Sequence, residues 1–354
     1  MTRPLRVAIA GFGLAGEVFH APLVAATEGL ELVAVTTADP GRASRARAAY
    51  PGVVVAASAE ALLRDVPDVD LLVVATPNRA HVAVARAALE RRIAVVMDKP
   101  IAPDAAAAAA LVDDFAAAGV PFTVFQNRRW DGDFLTVRRL VESGELGAVT
   151  RFESHYERFR PQVCGERWRE SADPDDGGGL LLDLGAHLVD QALVLFHFPR
   201  RVYAEVDARR PGARVDDDVF VALEHDGGVR SHLWMSSVAP LDGRSLRASG
   251  TRAGIHTPGL DPQEEQLAAG LRPGDPGWGE GEPARFVSTD GERALAIEPG
   301  AYERFYAGVR DALRGEADLP VDPRDSGDAL RVIDAARRSA STATIIDTTQ
   351  EEGS

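Results

Sequence analysis

A short apolar run from Leu5 to Ala10 stops at Gly11, and two further glycines, Gly13 and Gly16, follow before an apolar helix-forming segment begins. That order predicts a buried strand, a tight turn and a helix start. In a dinucleotide-binding unit each glycine has its own task. Gly11 allows the turn, Gly13 lets a pyrophosphate reach the backbone, and Gly16 lets helix and strand pack closely. The loop Gly11-Phe12-Gly13-Leu14-Ala15-Gly16 would then offer main-chain N–H groups and a positive helix end to phosphates. A glycine-rich turn that binds nothing is the plain alternative. The strand before it and the helix after it favour the nucleotide.

Strand and helix patterns keep alternating to about residue 126. Strands are expected at 31–37, 53–56, 70–76, 93–97 and 121–126, with a helix at 78–91 and an alanine-rich one around 105–110. Pro22 should kink or end the first helix. Such alternation implies a parallel sheet covered on both faces, with ligands outside the carboxyl ends of its strands. Those ends hold Thr76-Pro77-Asn78, with His81 just beyond, and Asp98-Lys99-Pro100. NAD enzymes usually end the second strand on an acid that binds the ribose hydroxyls. Here Thr36 and Thr37 stand in that place, followed by Arg42 and Arg45. Small hydroxyls accept a 2′-phosphate where an acid would repel it, so NADP is expected. Asp39 close by keeps NAD open, and the arginines could equally form a solvated helix face.

The second half changes pattern. A helix is expected at 133–143, a strand at 149–159, a long apolar helix at 179–197, and strands near 202–206, 219–225, 229–237 and 245–249. Consecutive strands joined by short turns such as Asp226-Gly227-Gly228 suggest an α+β domain with an open, mostly antiparallel sheet. The expected division is a Rossmann domain at 1–122 and a substrate-binding domain at 123–345, with the last helix able to pack back on the first. The 258–283 stretch reads as a long surface excursion and the final residues as a loose tail. A chain of 354 residues suits two domains.

Composition excludes several roles. A net charge of -15 argues against nucleic-acid and anionic-membrane partners, which need a basic face. The single cysteine, Cys164, forms no intramolecular disulfide, so no oxidising compartment is required. No apolar run spans a bilayer, and the N-terminal apolar run is better used as a strand than as a signal peptide, which leaves the cytoplasm as the default.

Four places could carry chemistry. Lys99 ends an apolar strand at the expected cofactor cleft, where it could serve as an acid or donor, or simply end a strand. Asp183 and His187 are four apart and so share a helix face, with Asp190 and Gln191 near the same side. A carboxylate beside an imidazole suits a general base, although a satisfied core histidine would look the same. One cysteine, and no second histidine at ligand spacing on that helix, make a zinc site the lesser choice. Asn127, Arg129 and Trp130 follow the sixth strand, where a polar substrate would sit. Tyr156, Arg160 and Trp168 suit a polyhydroxylated ring, although salt bridging between strand and loop explains the charges there as well.

Together these residues resemble the glucose–fructose oxidoreductase, inositol dehydrogenase and rhizopine-catabolism (Gfo/Idh/MocA) family. The shared marks are the N-terminal glycine motif, an acid-Lys-Pro after the fifth strand, and an Asp-x-x-x-His helix in the second domain. The stretches Val18-Phe19-His20-Ala21-Pro22, Asn127-Arg128-Arg129-Trp130-Asp131, Arg167-Trp168-Arg169-Glu170 and Asp183-Leu184-Gly185 are similar to its NADP-dependent scyllo-inositol 2-dehydrogenase branch. The resemblance implies hydride transfer between a sugar-like secondary alcohol and nicotinamide C4. Lys99 would hydrogen-bond the reacting oxygen and help place the nicotinamide, His187 would take the hydroxyl proton, and Asp183 would bind substrate and steady His187. It also implies dimers or tetramers through the second domain's open sheet. Two departures stand out: Asp98 where the family usually has Glu, and Leu182 and Ala186 where the branch tends to have Tyr and Ser. A cofactor-binding sensor without turnover, or redox-neutral sugar chemistry with a retained cofactor, are the competing functions. A sensor has no need of a proton acceptor, and the presence of Lys99, Asp183 and His187 argues against it.

Overall fold

The computed structural model describes residues 3–164, Glu170, Asp173, 176–241 and 243–350. They form two compact units. In chain order, the first unit opens with β1 (Leu5–Ala10), a π-helical segment (Ala15–His20) and α1 (Ala21–Ala26). It continues through β2 (Leu30–Thr36), α2 (Pro40–Ala49), β3 (Val54–Ala56), α3 (Ala59–Asp65), β4 (Leu71–Val74), α4 (His81–Leu89), β5 (Ala94–Met97), α5 (Ala105–Ala118) and β6 (Phe122–Val124). After Asn127 the second unit takes over with α6 (Gly132–Glu142), β7 (Val149–Glu157), α7 (Leu180–Asp183) and α8 (Gly185–Phe196). Five strands follow: β8 (Arg201–Asp207), β9 (Asp218–Glu224), β10 (Arg230–Ser236), β11 (Ser245–Gly250) and β12 (Ala253–Pro258). The chain then rejoins the first unit for α9 (Gln263–Ala269), gives β13 (Ala284–Ser288) and β14 (Gly291–Leu295) to the second, returns for α10 (Glu303–Leu313), and ends in the second with α11 (Pro323–Thr342) and β15 (Ile346–Asp347).

The first sheet runs β3-β2-β1-β4-β5-β6, and every pair in it is parallel. That order is the Rossmann arrangement, with its crevice where the order reverses beside β1. β4 and β5 are buried throughout, which is why they read as unbroken apolar runs. Side-chain caps fix the helix starts: Asp39 accepts from Arg42 N–H, Ser58 from Ala61 N–H and Asp104 from Ala107 N–H. Pro22 breaks nothing. It lies in the first turn of α1, where its missing N–H is harmless, and the winding changes just before it.

The second sheet has nine strands in the order β14-β13-β12-β11-β7-β10-β9-β8-β15; only β7 with β10 is parallel. One face buries Phe152, Ser154 and Tyr156 of β7 with Leu233 and Met235 of β10, and Gly185 at the start of α8 lies against Met235. The other face is half-exposed and aromatic, with His155 stacked on Trp234 at 4.3 Å between ring centres.

Several expectations change. Residues 258–283 are not a surface excursion. Gln263 is fully buried and accepts from Tyr302 N–H at 2.8 Å, while Trp278 donates to Glu303 at 3.1 Å, so residues 263–279 help build the first unit's core. The helix that joins the first unit is α10, not the last one; α11 stays with the second unit, where Ser339 accepts from Ala204 N–H at 3.0 Å. The tail is tied down as well: β15 pairs with β8, and Thr348 N–H bonds Arg200 O at 3.0 Å. Strands β12 to β14 carry little apolar signal; β14 is almost wholly exposed. The long helix expected at 179–197 is two pieces, α7 and α8, joined at Leu184.

Candidate active site

The glycine loop is shaped by what crowds it. Gly11 has φ of 105°, and a β-carbon there would collide with the Ala75 carbonyl; one at Gly16 would collide with Gly11's own carbonyl. A β-carbon at Gly13 would meet nothing. Two glycines are therefore demanded by the fold, and the third leaves open the space that a pyrophosphate needs, which fits a dinucleotide. Phe12 is buried, Leu14 is exposed, and Phe12 N–H bonds Thr36 O at 2.8 Å.

The two threonines differ. Thr36 is buried and its hydroxyl accepts from Gly11 N–H at 2.7 Å, so it shapes the loop. Thr37 is half-exposed, with its hydroxyl accepting from Asp39 N–H at 3.2 Å. Asp39 is held below the usual carboxylate range by the Arg42 N–H it caps, so a negative charge stands close to this edge. Arg42 itself is exposed, whereas Arg45 is committed to Glu17 at 2.5 Å.

Lys99 follows β5 and is half-exposed, with a cis peptide to Pro100. Its main-chain N–H is held by Asp98 Oδ1 at 2.9 Å, and Asp98 Oδ2 lies 3.8 Å from His20 Nε2. His20 is fully buried and meets the Tyr306 hydroxyl through Nδ1 at 2.7 Å. Burial opposes the charge on Asp98, but the imidazoles of His20 and His81 and the Lys99 ammonium outweigh it and hold the carboxyl below its ordinary value. Burial, helped by Asp98, pushes the Tyr306 phenol well up. His81, expected at the cofactor, turns inward. Its ring nitrogens lie 2.9 Å from Pro100 O and 2.9 Å from Thr76 O, tying together the loops after β4 and β5. Burial lowers its pKa. Thr76 has a buried hydroxyl, Pro77 is exposed, and Asn78 opens a short 3-10 turn, Asn78–Ala80.

In the second unit Asp183 closes α7 and His187 sits in the first turn of α8; both are buried among Leu181, Leu182, Leu184, Ala186 and Leu188. Leu184, at φ −95° and ψ −36°, stays close enough to helical geometry to keep the two turns in sequence. The Leu184 carbonyl accepts both the His187 N–H at 3.0 Å and the Leu188 N–H at 3.2 Å, which tightens the turn there. Asp190 and Gln191 serve other partners. Asp190 chelates Arg129 at 2.8 and 2.6 Å, and Gln191 donates to Arg128 O at 3.1 Å. Arg129 bonds Asp325 too, at 2.9 Å. Burial works against both charges, yet the two acids raise the pKa of Arg129 further. Nε and Nη2 of Arg129 are thus engaged inside the unit.

Asn127 is buried and Trp130 half-exposed; they bound a 3-10 turn. Arg128 pairs with Asp131 at 3.0 Å. Tyr156 lies on the buried face of β7, ringed by the guanidinium groups of Arg128, Arg158 and Arg244 at 5.2, 5.7 and 5.8 Å. Arg160 is exposed and holds Ser237 O through its N–H at 2.7 Å. Trp168 lies outside the described residues. Beside α8 a small cavity of about 20 Å³, room for one water, is lined by Arg128, Asp131, Asp133, Tyr156, Leu188 and Gln191 among others. Burial and the neighbouring Asp261 push the Asp133 carboxyl up to about 7. No local sequence signal marks Tyr306, Asp261 or Asp325 as site-building residues, because each acts on a partner far away in the chain.

Residues 5–126 match the oxidoreductase family with an NAD-binding Rossmann fold, and residues 134–256 match the GFO/IDH/MocA C-terminal domain. The chain belongs to the Gfo/Idh/MocA family of oxidoreductases. It is similar to the uncharacterized oxidoreductase YdgJ of Escherichia coli, 38% identical over 96% of this chain and 97% of that protein. It is also similar to the scyllo-inositol 2-dehydrogenase (NADP(+)) IolW of Bacillus subtilis, 31% identical over 95% of this chain and 94% of the relative. The solved structure of yvaA from Bacillus subtilis covers 98% of this chain and 99% of its own at 30% identity, with a TM-score of 0.91. The first unit accordingly holds the family's NAD-binding Rossmann fold and the second the family's C-terminal domain. Among the described residues no helix is long and apolar enough to cross a membrane.

Proposed function

We propose that the chain is an NADP-dependent dehydrogenase acting on a secondary alcohol of a cyclic polyol or sugar, with Lys99, Asp183 and His187 as its catalytic set. One observation carries this: an aspartate and a histidine buried together at the α7–α8 junction, in a stretch otherwise lined by leucine and alanine. Bound NADP supplies the hydride acceptor. Lys99 donates a hydrogen bond to the carbinol oxygen and stabilises negative charge as it develops. His187 takes the hydroxyl proton while Asp183 holds the substrate and steadies the imidazole. The printed activities of two relatives support the substrate class: IolW, and the D-xylose 1-dehydrogenase (NADP(+)) 2 of Haloferax volcanii, 30% identical over 92% of this chain and 94% of that protein. NADP is favoured by the absence of an acid at Thr36 and Thr37 and by the exposed Arg42.

The half-exposed aromatic face of the second sheet, with His155, Phe220, His232 and Trp234, supports packing against a second copy, as a dimer or tetramer. Light scattering during gel filtration reads that state directly.

The test is a screen of inositols and aldoses with both cofactors, followed by absorbance of the reduced nicotinamide. Lys99→Ala should abolish NADP reduction while quenching of protein fluorescence shows NADP still bound. Unchanged turnover in that variant refutes the assignment, and tighter binding of NAD than of NADP reverses the cofactor preference.

A further inference from the structure

Asp216 lies between β8 and β9, more than thirty residues beyond Asp183, yet it builds the turn on which Asp183 stands. Its Oδ2 accepts the Leu181 N–H at 2.7 Å and its carbonyl accepts the Leu180 N–H at 3.1 Å. The first amides of a helix have no partner within it. Here two of them are satisfied by one distant residue.

The fit is two-sided. Gly179, just before α7, has φ of 96°, and a β-carbon there would run into the Asp216 carboxylate. Glycine at 179 is what allows the carboxylate to come so close.

From that anchor a line of main-chain hydrogen bonds leads to the site. Leu180 O accepts Leu184 N–H at 2.8 Å, and Leu184 O accepts His187 N–H at 3.0 Å. Asp183 N–H bonds Gly179 O at 3.1 Å within the same turn. Because α7 is one turn long, a displacement of Leu180 or Leu181 is a displacement of Asp183. We propose that Asp216 is a positioning residue, whose acceptor oxygens fix the start of α7 and thereby set where Asp183 and His187 stand. The inference rests on the reading above that those two residues act on the substrate.

The neighbouring acid has a separate duty. Asp217 chelates Arg210 at 2.7 Å, and Arg210 holds Glu170 at 2.8 Å. The Leu180 and Leu181 amides need acceptor oxygens from residue 216, and burial raises the Asp216 carboxyl above its ordinary value even though the Leu181 N–H favours ionisation. An amide oxygen should therefore substitute.

The test compares Asp216→Ala and Asp216→Asn on the full chain, alone and in the His187→Gln background. Asp216→Ala should lower kcat about tenfold or more, with NADP affinity unchanged, and Asp216→Asn should stay within about threefold of the parent. In the His187→Gln background Asp216→Ala should cost little more, because residues acting as a unit are not additive. Equal losses in both backgrounds, or an Asn variant as impaired as the Ala variant, overturn the proposal. Gly179→Ala, which keeps the carboxylate but crowds it, should lower kcat in the same way and serves if Asp216→Ala does not fold. Should the parent protein turn over no polyol or sugar, the proposed function fails by itself, and hydrogen exchange then decides the positioning claim. Exchange over residues 180–188 should quicken in Asp216→Ala and not in Asp216→Asn; unchanged protection refutes it.

Discussion

In the nucleotide unit the ligand-facing loop is made by main chain: Gly11 against the Ala75 carbonyl, Gly16 against the Gly11 carbonyl, and Thr36 closing on Gly11 N–H. Its clearest ion pairs, Arg45 with Glu17 and Arg86 with Asp114, stand at the surface. In the second unit charge goes inside. Arg129 is clasped by Asp190 and Asp325, Arg210 by Asp217 and Glu170, and Asp133 is buried near Asp261. The difference follows from what each unit must hold. A pyrophosphate is the same in every dinucleotide and can be met by backbone N–H groups, which any sequence with the right glycines presents. A particular small molecule, an alcohol in the proposed function, must be met by side chains, and side chains keep a fixed place when buried partners hold them.

The contrast can be broken at three points. Arg129→Ala leaves Asp190 buried without its cation and should lower stability by about 3–5 kcal/mol in urea unfolding. A loss below about 1 kcal/mol, the range of exposed pairs, would erase the distinction between the units.

Asp133 gives the next largest effect, and it depends on pH. Its carboxyl is raised to about 7 in the folded chain, so the folded state keeps a proton that the unfolded state releases. The stabilisation from that proton is complete below the ordinary carboxylate value and disappears as pH climbs through about 7. Asp133→Asn removes the dependence and still offers an oxygen to Phe134 N–H. It should stabilise the chain more at pH 8 than at pH 5, by on the order of 2 kcal/mol. An equal effect at both, by thermal melting, would show that this carboxyl does not titrate in that window.

Gly13→Ala sharpens the other side with the smallest change in stability. Its β-carbon meets nothing in the protein, so melting should move by less than about 0.5 kcal/mol while NADP affinity falls about tenfold or more. If stability falls and affinity holds, Gly13 is a folding glycine like Gly11.

How much was legible follows the same division. The parallel sheet, the glycine loop and the place of Lys99 could be read because each is written in one short stretch. For His81 and Arg129 the chain positions were legible, but not that their side chains turn toward Pro100 O and Asp190. The 258–283 stretch read as a surface excursion around one short helical piece at 263–271; that piece is α9, but the burial of Leu267 and Trp278 was not legible in the sequence.

Local periodicity and glycine spacing determined the alternating dinucleotide-binding unit, and the resemblance of its motifs pointed to the family and to the three residues proposed for catalysis. Folding alone decided which charges are buried, that residues 263–279 and 301–324 belong with the first unit, and that Asp216 anchors α7. The physical reason is range. Backbone conformation and hydrophobic period act over a few residues and leave a mark in the sequence, whereas an ion pair or a distant cap is defined by two positions whose nearness exists only in three dimensions.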